Sequence, residues 1–185
     1  MKKIICMLLM CMVVCSFAAC TTNTNVDNAK TQPAETTQET PKFGKVTGEV
    51  TYKYNDYVGS KPDTGAQMLL ISKAVTSLPD NLAYGTTSDL PEGCYATKVS
   101  GGGNYTFNNI PVGEYVLIFI SKNTTPNPAT AAGFYNWGIT VYDMFSEEGQ
   151  KRASDYAKLH KIHNIDITVT EGEVTYSHDF GITYI

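Results

Sequence analysis

The sequence has few of the residues that carry most enzyme chemistry, and little charge. Its 185 residues include five cysteines, three histidines and one tryptophan, and only 17% are charged. With 14 basic and 18 acidic side chains the formal charge is -4, which excludes a nucleic-acid binder that works by charge. The length fits one globular domain.

The N-terminus has the features of a targeting segment. Lys2 and Lys3 precede an uncharged, apolar run of fourteen residues over 4–17, and small residues follow it. This run is too short for a membrane-spanning helix, because a hydrocarbon core of about 30 Å requires about 20 apolar residues. We therefore predict a secretion signal over residues 1–19.

The end of this segment, Phe17–Cys20 (FAAC), resembles the lipobox of bacterial lipoproteins, although Leu is the commoner residue where Phe17 stands. The resemblance implies cleavage before Cys20, diacylglycerol on its sulfur and an acyl chain such as palmitate on its amine. Two or three chains hold a protein on its membrane far more firmly than one, since each buried methylene contributes about 0.8 kcal/mol. The alternative is an ordinary secretory signal that is cut after Ala19 and leaves no lipid.

Processing of this kind would remove three of the five cysteines. Cys6, Cys11 and Cys15 are lost with the signal, Cys20 carries the lipid, and Cys94 remains alone, so no internal disulfide is expected. The signal also takes away two lysines and no acid, which changes the formal charge from -4 to -6. An acidic domain is repelled by anionic headgroups, so contacts with the membrane beyond the anchor are disfavoured.

Residues 20–43 are predicted to be a lipidated cysteine followed by a disordered, threonine-rich tether. Thr21–Lys42 contains seven threonines and two prolines, and Val26 is its only sizeable apolar residue. Such a segment cannot bury enough surface to fold. As a flexible coil it spans on the order of 25 Å, which lifts a domain clear of the headgroups. The alternative is that part of the segment packs onto the domain.

Residues 44–185 have the hydrophobic pattern of a β-rich domain. From Val46 to Tyr54 every second residue is apolar or glycine, as in a half-buried antiparallel strand. Met68–Ile71 and Tyr115–Ile120 are continuous apolar runs, which indicate central strands covered on both faces. Alternation on both sides of a turn at residues 171–172 predicts a C-terminal hairpin.

One stretch departs from this strand pattern. Ser146 is a suitable N-cap, Glu147 and Glu148 follow in the first turn, and apolar residues recur at helical spacing, which predicts a helix over about 146–160. Gly149 weakens this helix by about 1 kcal/mol relative to alanine. The predicted fold is all-β: an antiparallel β-sandwich of about seven strands with one inserted helix.

Three segments together resemble the carboxypeptidase regulatory-like, or transthyretin-like, β-sandwich family. They are Val46–Val50 (VTGEV), Asp63–Ile71 (DTGAQMLLI) and Gly103–Leu117 (GNYTFNNIPVGEYVL). The third is the most specific, because in it a strand ends in a Pro and Gly turn before the chain returns to the core. The resemblance implies a prealbumin-like or immunoglobulin-like sandwich that serves as an accessory, spacer or binding module.

The chain departs from that family in two stretches, residues 72–102 and 126–161. Because these are additions to a common scaffold, we expect individual function to reside there. Related collagen-adhesin repeats carry a Lys–Asn crosslink, and Lys45 stands in the first strand. No matching Asn occurs in 173–185, so the crosslink is not expected.

Histidine and cysteine supply the few candidates for chemistry. His160 and His163 at the end of the predicted helix, together with His178, could hold a zinc ion, although no H-E-x-x-H motif is present. The alternative is that they are helix-terminal and strand-edge histidines without a ligand. Cys94 lacks the surroundings of a catalytic thiol and is expected to be unreactive. No catalytic residue and no cofactor is predicted.

Aromatic residues suggest a ligand more strongly. The chain has twelve tyrosines, and Phe134, Tyr135 and Trp137 form a cluster in the second addition that could stack against a sugar. The alternative is that Trp137 packs in the core.

These patterns combine into one functional hypothesis. The protein is predicted to be a non-enzymatic module, lipid-anchored at the extracytoplasmic face of a membrane, whose sandwich binds or supports a protein or glycan at the cell surface. In a cell with two membranes the anchor would lie in the outer membrane or on the periplasmic face. A carbohydrate-binding module and a metal-dependent hydrolase accessory are the alternatives, and no nucleic-acid partner is expected.

Overall fold

The computed structural model describes residues 41–85, 89–129 and 137–183. The predicted signal, Cys20 and nearly all of the tether lie outside these ranges, as do Phe134 and Tyr135. The described strands are β1 (Phe43–Asn55), β2 (Gly59–Pro62), β3 (Gln67–Ser72), β4 (Cys94–Lys98), β5 (Asn104–Pro111), β6 (Gly113–Ile120), β7 (Ile162–Val169), β8 (Gly172–Thr175) and β9 (His178–Ile182). The described helices are a 3₁₀ helix (Asp80–Tyr84), α1 (Ile139–Tyr142) and α2 (Glu147–Ala157).

The strands form two sheets. In the first, β1 pairs antiparallel with β5 and β2 along one edge, and parallel with β8 and β9 along the other. The second sheet has the order β4–β3–β6–β7, and all its pairings are antiparallel. The predicted β-sandwich is confirmed. The described residues form nine strands where about seven were predicted, and β8 and β9 run parallel to β1 in an otherwise antiparallel arrangement.

The core between the sheets follows the predicted alternation. Val46 and Val50 of β1 and Tyr105 and Phe107 of β5 point inward from the first sheet, and all four are buried. They meet inward-facing residues of the second sheet and Phe180 of β9. The second sheet contributes Met68, Leu70, Tyr115, Leu117, Phe119, Ile167 and Val169.

The predicted C-terminal hairpin does not form. Strand β7 pairs with β6 in the second sheet, whereas β8 pairs with β1 in the first, so the chain crosses from one sheet to the other at residues 170–171. Gly44 of β1 permits this crossing, because a Cβ there would lie 2.1 Å from the Thr170 carbonyl oxygen. Alternation correctly indicated which residues face the core, but it carries no information about which strand is the neighbour.

The central strands β3 and β6 of the second sheet are buried on both faces, as their continuous apolar runs predicted. Leu69, Ile71, Val116 and Ile118 point away from the first sheet and are buried under a layer of helices. This layer comes from the two additions to the scaffold. It contributes Leu78, Leu82, Trp137, Val141, Phe145, Ala153 and Ala157.

Helix α2 confirms the predicted inserted helix, with a shorter C-terminal end. The Ser146 hydroxyl accepts a hydrogen bond from the Gly149 amide at 3.2 Å, so Ser146 is the N-cap. The helix ends at Ala157 and not near His160, and Leu159 is exposed beyond it. No helix in the described part of the chain is long and apolar enough to cross a membrane.

The two ends of the sandwich differ. The end at which β1 begins is termed proximal, because the N-terminal segment joins it there, and the end with the β1–β2 turn is termed distal. Strand β1 has 13 residues, so about 40 Å of extended chain separates them. The β5–β6 turn lies at the proximal end, because Pro111 pairs with Phe43.

Candidate functional site

The predicted sugar-stacking platform is not available at Trp137. Its indole is fully buried beneath the helix layer, its Nε1 donates to the Ala153 carbonyl oxygen at 3.1 Å, and its ring packs edge-on against Phe145. No face of the ring remains for a ligand, so the core-packing alternative describes Trp137. Phe134 and Tyr135 lie outside the described residues, and their proposed role stays a prediction.

The three histidines do not form a zinc site. His163 of β7 and His178 of β9 stack with their ring centres 4.0 Å apart and their planes 5° from parallel, which keeps their nitrogen lone pairs from converging on one ion. His160 is turned elsewhere, with its Nδ1 3.0 Å from the Ser121 carbonyl oxygen. Within the described ranges, no three His, Cys, Asp or Glu side chains group together closely enough to hold a metal.

Cys94 is a buried core residue. It packs in the apolar cluster between the second sheet and the helix layer, and burial raises the pKa of its thiol to about 11. A catalytic thiol needs the opposite shift, toward the thiolate. These surroundings are those of a structural cysteine.

A cleft with a volume of about 790 Å³ lies at the proximal end of the sandwich. It is termed the proximal cleft. It is open to solvent and lies between the segment after β3, the start of β4 and the β5–β6 turn. Its lining residues are Ser72–Ser77, Pro91–Gly93, Tyr95 and Pro111–Tyr115.

Backbone hydrogen bonds fix the walls of the proximal cleft. The Ser72 amide donates to the Gly93 carbonyl oxygen at 2.8 Å, and the Lys73 amide donates to the Glu114 carbonyl oxygen at 3.0 Å. Gly93 has a φ of 81°, and a Cβ there would lie 3.0 Å from a methyl group of Val75. Glycine at this position therefore allows the two walls to approach each other.

Charged side chains stand along the rim of the cleft. Lys73 Nζ lies 3.0 Å from Asp166 Oδ2 and 4.0 Å from Glu114 Oε2. The Thr168 hydroxyl donates to Glu114 Oε1 at 2.7 Å. Glu92 is exposed and has no ion-pair partner among the described residues. The one ammonium group is thus already neutralised, and the rim as a whole is acidic.

Two tyrosines lie where the cleft meets the core between the sheets. The rings of Tyr95 and Tyr115 are 6.3 Å apart, and the Tyr115 hydroxyl donates to the Pro111 carbonyl oxygen at 2.8 Å. Burial, followed by the neighbouring Tyr95, raises the pKa of Tyr115 to about 12, so Tyr115 remains a neutral hydroxyl at physiological pH. Tyr95 is half-buried, whereas Tyr115 is buried.

Sequence reasoning did not identify this cleft. Its residues come from three separate segments, and none of them forms a motif. One signal did point toward it, because Ser72–Ser77 and Pro91–Tyr95 belong to the first addition to the scaffold, where individual function was expected.

Comparison with known proteins does not assign the chain to a family. No protein-family model matches the sequence. No curated protein matches it either. The molecule is therefore defined by its architecture: a two-sheet β-sandwich with a helix layer on one sheet and an open cleft at its proximal end.

Several solved structures are similar in fold. A minor pilin of Streptococcus agalactiae is 13% identical with a TM-score of 0.39, and the match covers 78% of this chain and 47% of the pilin, so the chain spans about half of that protein. A proposed carbohydrate-binding protein of Pseudomonas aeruginosa is 11% identical (TM-score 0.38; 76% and 91% covered). The 5-hydroxyisourate hydrolase of Klebsiella pneumoniae is 13% identical (TM-score 0.36; 75% and 90% covered). At these sequence identities and TM-scores, the similarity assigns neither a family nor a function to this chain.

Proposed function

We propose that this protein is a lipid-anchored, extracytoplasmic binding module that holds a partner in its proximal cleft and catalyses no reaction. The observation that carries the proposal is the cleft itself: a preformed concavity of about 790 Å³ with mixed polar and apolar walls. Binding sites are typically concave, largely preformed and lined by apolar residues with a few placed polar groups.

The N-terminal sequence supports the anchor. Two lysines, a short apolar run and the FAAC sequence ending at Cys20 are the elements that lipid attachment requires. The chain joins the sandwich at the proximal end, where Lys42 forms an ion pair with Glu171 at 2.6 Å. The cleft therefore lies at the end of the sandwich where Lys42 precedes β1.

The environment of the reactive side chains supports binding over catalysis. The Cys94 thiol is buried with a raised pKa, and His163 and His178 are stacked on each other with lowered pKa values because burial disfavours their charged forms. Lys73 at the cleft rim is held in ion pairs with two carboxylates. None of these groups is arranged to transfer a proton or attack a substrate.

The lipid anchor is tested with Cys20→Ser, which replaces the sulfur that would carry the diacylglycerol with an oxygen. Cells that express the wild type and Cys20→Ser are grown with radiolabelled palmitate, and membrane and soluble fractions are compared. The wild type is expected to be labelled and membrane-bound, and the variant unlabelled and released. Cys94→Ser is the matched control and should retain label. Equal labelling of the wild type and Cys20→Ser would overturn the anchor.

Binding in the proximal cleft is tested in the intact cells that make the protein. The full chain is crosslinked in intact cells and recovered with its partners, in parallel with Thr76→Trp, which places a large side chain at an exposed position in the cleft. A partner or ligand that the wild type captures and the variant does not supports the proposal. Equal capture by both proteins would show that the cleft is not the binding surface.

A carbohydrate-binding module is the second candidate function. The observation that favours it is the half-buried Tyr95 beside hydroxyl and carboxylate groups in the cleft. Tyr95 would then play the aromatic role that the sequence analysis gave to Trp137.

A further inference from the structure

We infer that the proximal cleft binds a neutral oligosaccharide, with Tyr95 as the surface on which a sugar ring stacks. This inference rests on the proposed binding function and names its ligand class. The argument starts from the chemistry of the lining, because a sugar combines an apolar C–H face with a rim of hydroxyl groups.

The cleft offers both kinds of surface. Tyr95, Val75 and Val112 supply aromatic and aliphatic contact. Hydroxyls of Ser72, Thr76 and Ser77 and the carboxylates on the rim supply donors and acceptors in the same concavity. A lining that was mainly apolar would fit a hydrophobic peptide anchor better, since interface hot spots lie in fully desolvated pockets.

The charge of the cleft rim restricts the class of ligand further. The ammonium group of Lys73 is shared between Asp166 and Glu114, so little positive charge remains for an anion. Glu92 adds a negative charge at the rim, and a sulfated, phosphorylated or uronic-acid ligand would be repelled. The unpaired carboxylate of Glu92 instead accepts hydrogen bonds from sugar hydroxyls, and hydrogen bonds to a charged acceptor are stronger than neutral ones.

Preorganisation makes a polar ligand feasible. Sugar hydroxyls exchange hydrogen bonds with water for hydrogen bonds with protein, so net affinity depends on groups that are already held in place. The Ser72–Gly93 and Lys73–Glu114 backbone hydrogen bonds hold the two walls, and the Ser72 hydroxyl accepts from the Ala74 amide at 3.2 Å. The cleft therefore needs little rearrangement on binding.

The test applies the full, detergent-solubilised chain to an array of neutral, acidic and amino-sugar oligosaccharides, and then measures calorimetric affinity for the best-bound oligosaccharide. We expect binding to neutral oligosaccharides, and affinity about tenfold lower for Tyr95→Ala and several-fold lower for Glu92→Gln. Tyr57→Ala is the matched control, because Tyr57 is fully exposed at the distal end. This variant should bind the oligosaccharide as the wild type does.

Folding and function are separated by further measurements. Tyr95 packs partly on the core, so each variant is checked by circular dichroism, and Thr76→Trp, at an exposed position, gives a second way to block the cleft. Loss of glycan binding in folded Thr76→Trp supports the inference. Glycan binding that survives both cleft variants would overturn this site.

An array with no bound glycan would overturn the ligand class. If crosslinking then still captured a protein partner that Thr76→Trp fails to capture, the proposed binding function would stand and only the glycan would be wrong. Selective binding of acidic oligosaccharides would also overturn the inference, since the rim charge predicts the opposite preference.

Discussion

Gly48 lies where the first sheet leaves no room for a side chain. A Cβ at this position would be 1.7 Å from the carbonyl oxygen of Tyr176, which belongs to the segment between β8 and β9. The Tyr105 hydroxyl donates to the same oxygen at 2.6 Å, and the Tyr176 amide donates to the Thr47 carbonyl oxygen at 2.8 Å. The backbone of residue 176 is thus held firmly against β1.

We expect Gly48→Ala to lower the free energy of unfolding by about 3 kcal/mol or more, because the obstructing atom is backbone and cannot turn away. Urea unfolding followed by circular dichroism measures the change. Gly101→Ala is the control, since a Cβ there meets nothing within 4 Å, and it should alter stability by less than about 0.5 kcal/mol. Similar midpoints for the two variants would contradict the close contact at residue 48.

Asp63 shows how one residue joins distant turns. Its carboxylate is fully buried and accepts hydrogen bonds from the Ser121 hydroxyl at 2.5 Å, the Lys122 amide at 3.2 Å and the Asn123 amide at 3.1 Å. These bonds satisfy a charge that would otherwise be costly to bury. They connect the chain before β3 to the chain after β6.

At the scale of elements, the contact between the 3₁₀ helix and α2 explains an unfavourable residue. Asp80 accepts a hydrogen bond from the Ser146 hydroxyl at 2.7 Å, at the N-terminus of α2, where a negative charge is favoured. A Cβ on Gly149 would lie 2.2 Å from Asp80 Oδ1. The glycine that weakens the helix in isolation is therefore what lets the 3₁₀ helix dock.

Gly149→Ala is expected to destabilise the protein, although alanine is the better helix former by about 1 kcal/mol. Because the conflict is with Asp80, the loss should be smaller by about 1 kcal/mol or more in an Asp80→Ala background, as a double-mutant cycle of unfolding free energies would measure. An equal effect of Gly149→Ala in both backgrounds would show that Asp80 is not the cause.

At the scale of the whole molecule, the stacked histidines join the two sheets along one side. His163 belongs to β7 of the second sheet and His178 to β9 of the first, and both rings also pack against Phe119. Burial, followed by the charge of His163, lowers the pKa of His178 to about 4, and burial also lowers the pKa of His163. Lys161 opposes protonation of His178 and Asp179 favours it.

This arrangement predicts an acid-sensitive sandwich. Between about pH 6.5 and pH 4 the unfolded chain binds more protons than the folded one, so stability is full above pH 6.5 and falls as the pH decreases toward 4. The loss should be on the order of 2 kcal/mol, allowing for the partial exposure of the rings. Urea unfolding at a series of pH values measures it.

The double variant His163→Phe, His178→Phe should keep the stacked rings and lose most of the slope over this range. His160→Gln removes a histidine outside the pair and should keep the slope. A wild-type protein with constant stability from pH 7 to pH 4.5 would contradict the prediction.

Local patterns predicted a large part of this fold. Alternation placed Val46 and Val50 in the core correctly, and Ser146 marked the start of α2. The candidate site was not predictable in the same way. Tyr95 and Glu114 come from different strands, and only the pairing of β3 with β4 and β6 brings them together.

The sequence by itself determined which residues prefer a buried face, where a helix can begin and which N-terminal residues suit secretion and lipid attachment, because these depend on neighbours a few residues away. Only the tertiary structure decided that β8 pairs with β1, that Trp137 is buried and that His163 meets His178. Those outcomes depend on contacts between residues far apart in the chain. Such contacts form only where the surfaces of two segments are complementary, and the sequence of one segment alone does not predict that complementarity.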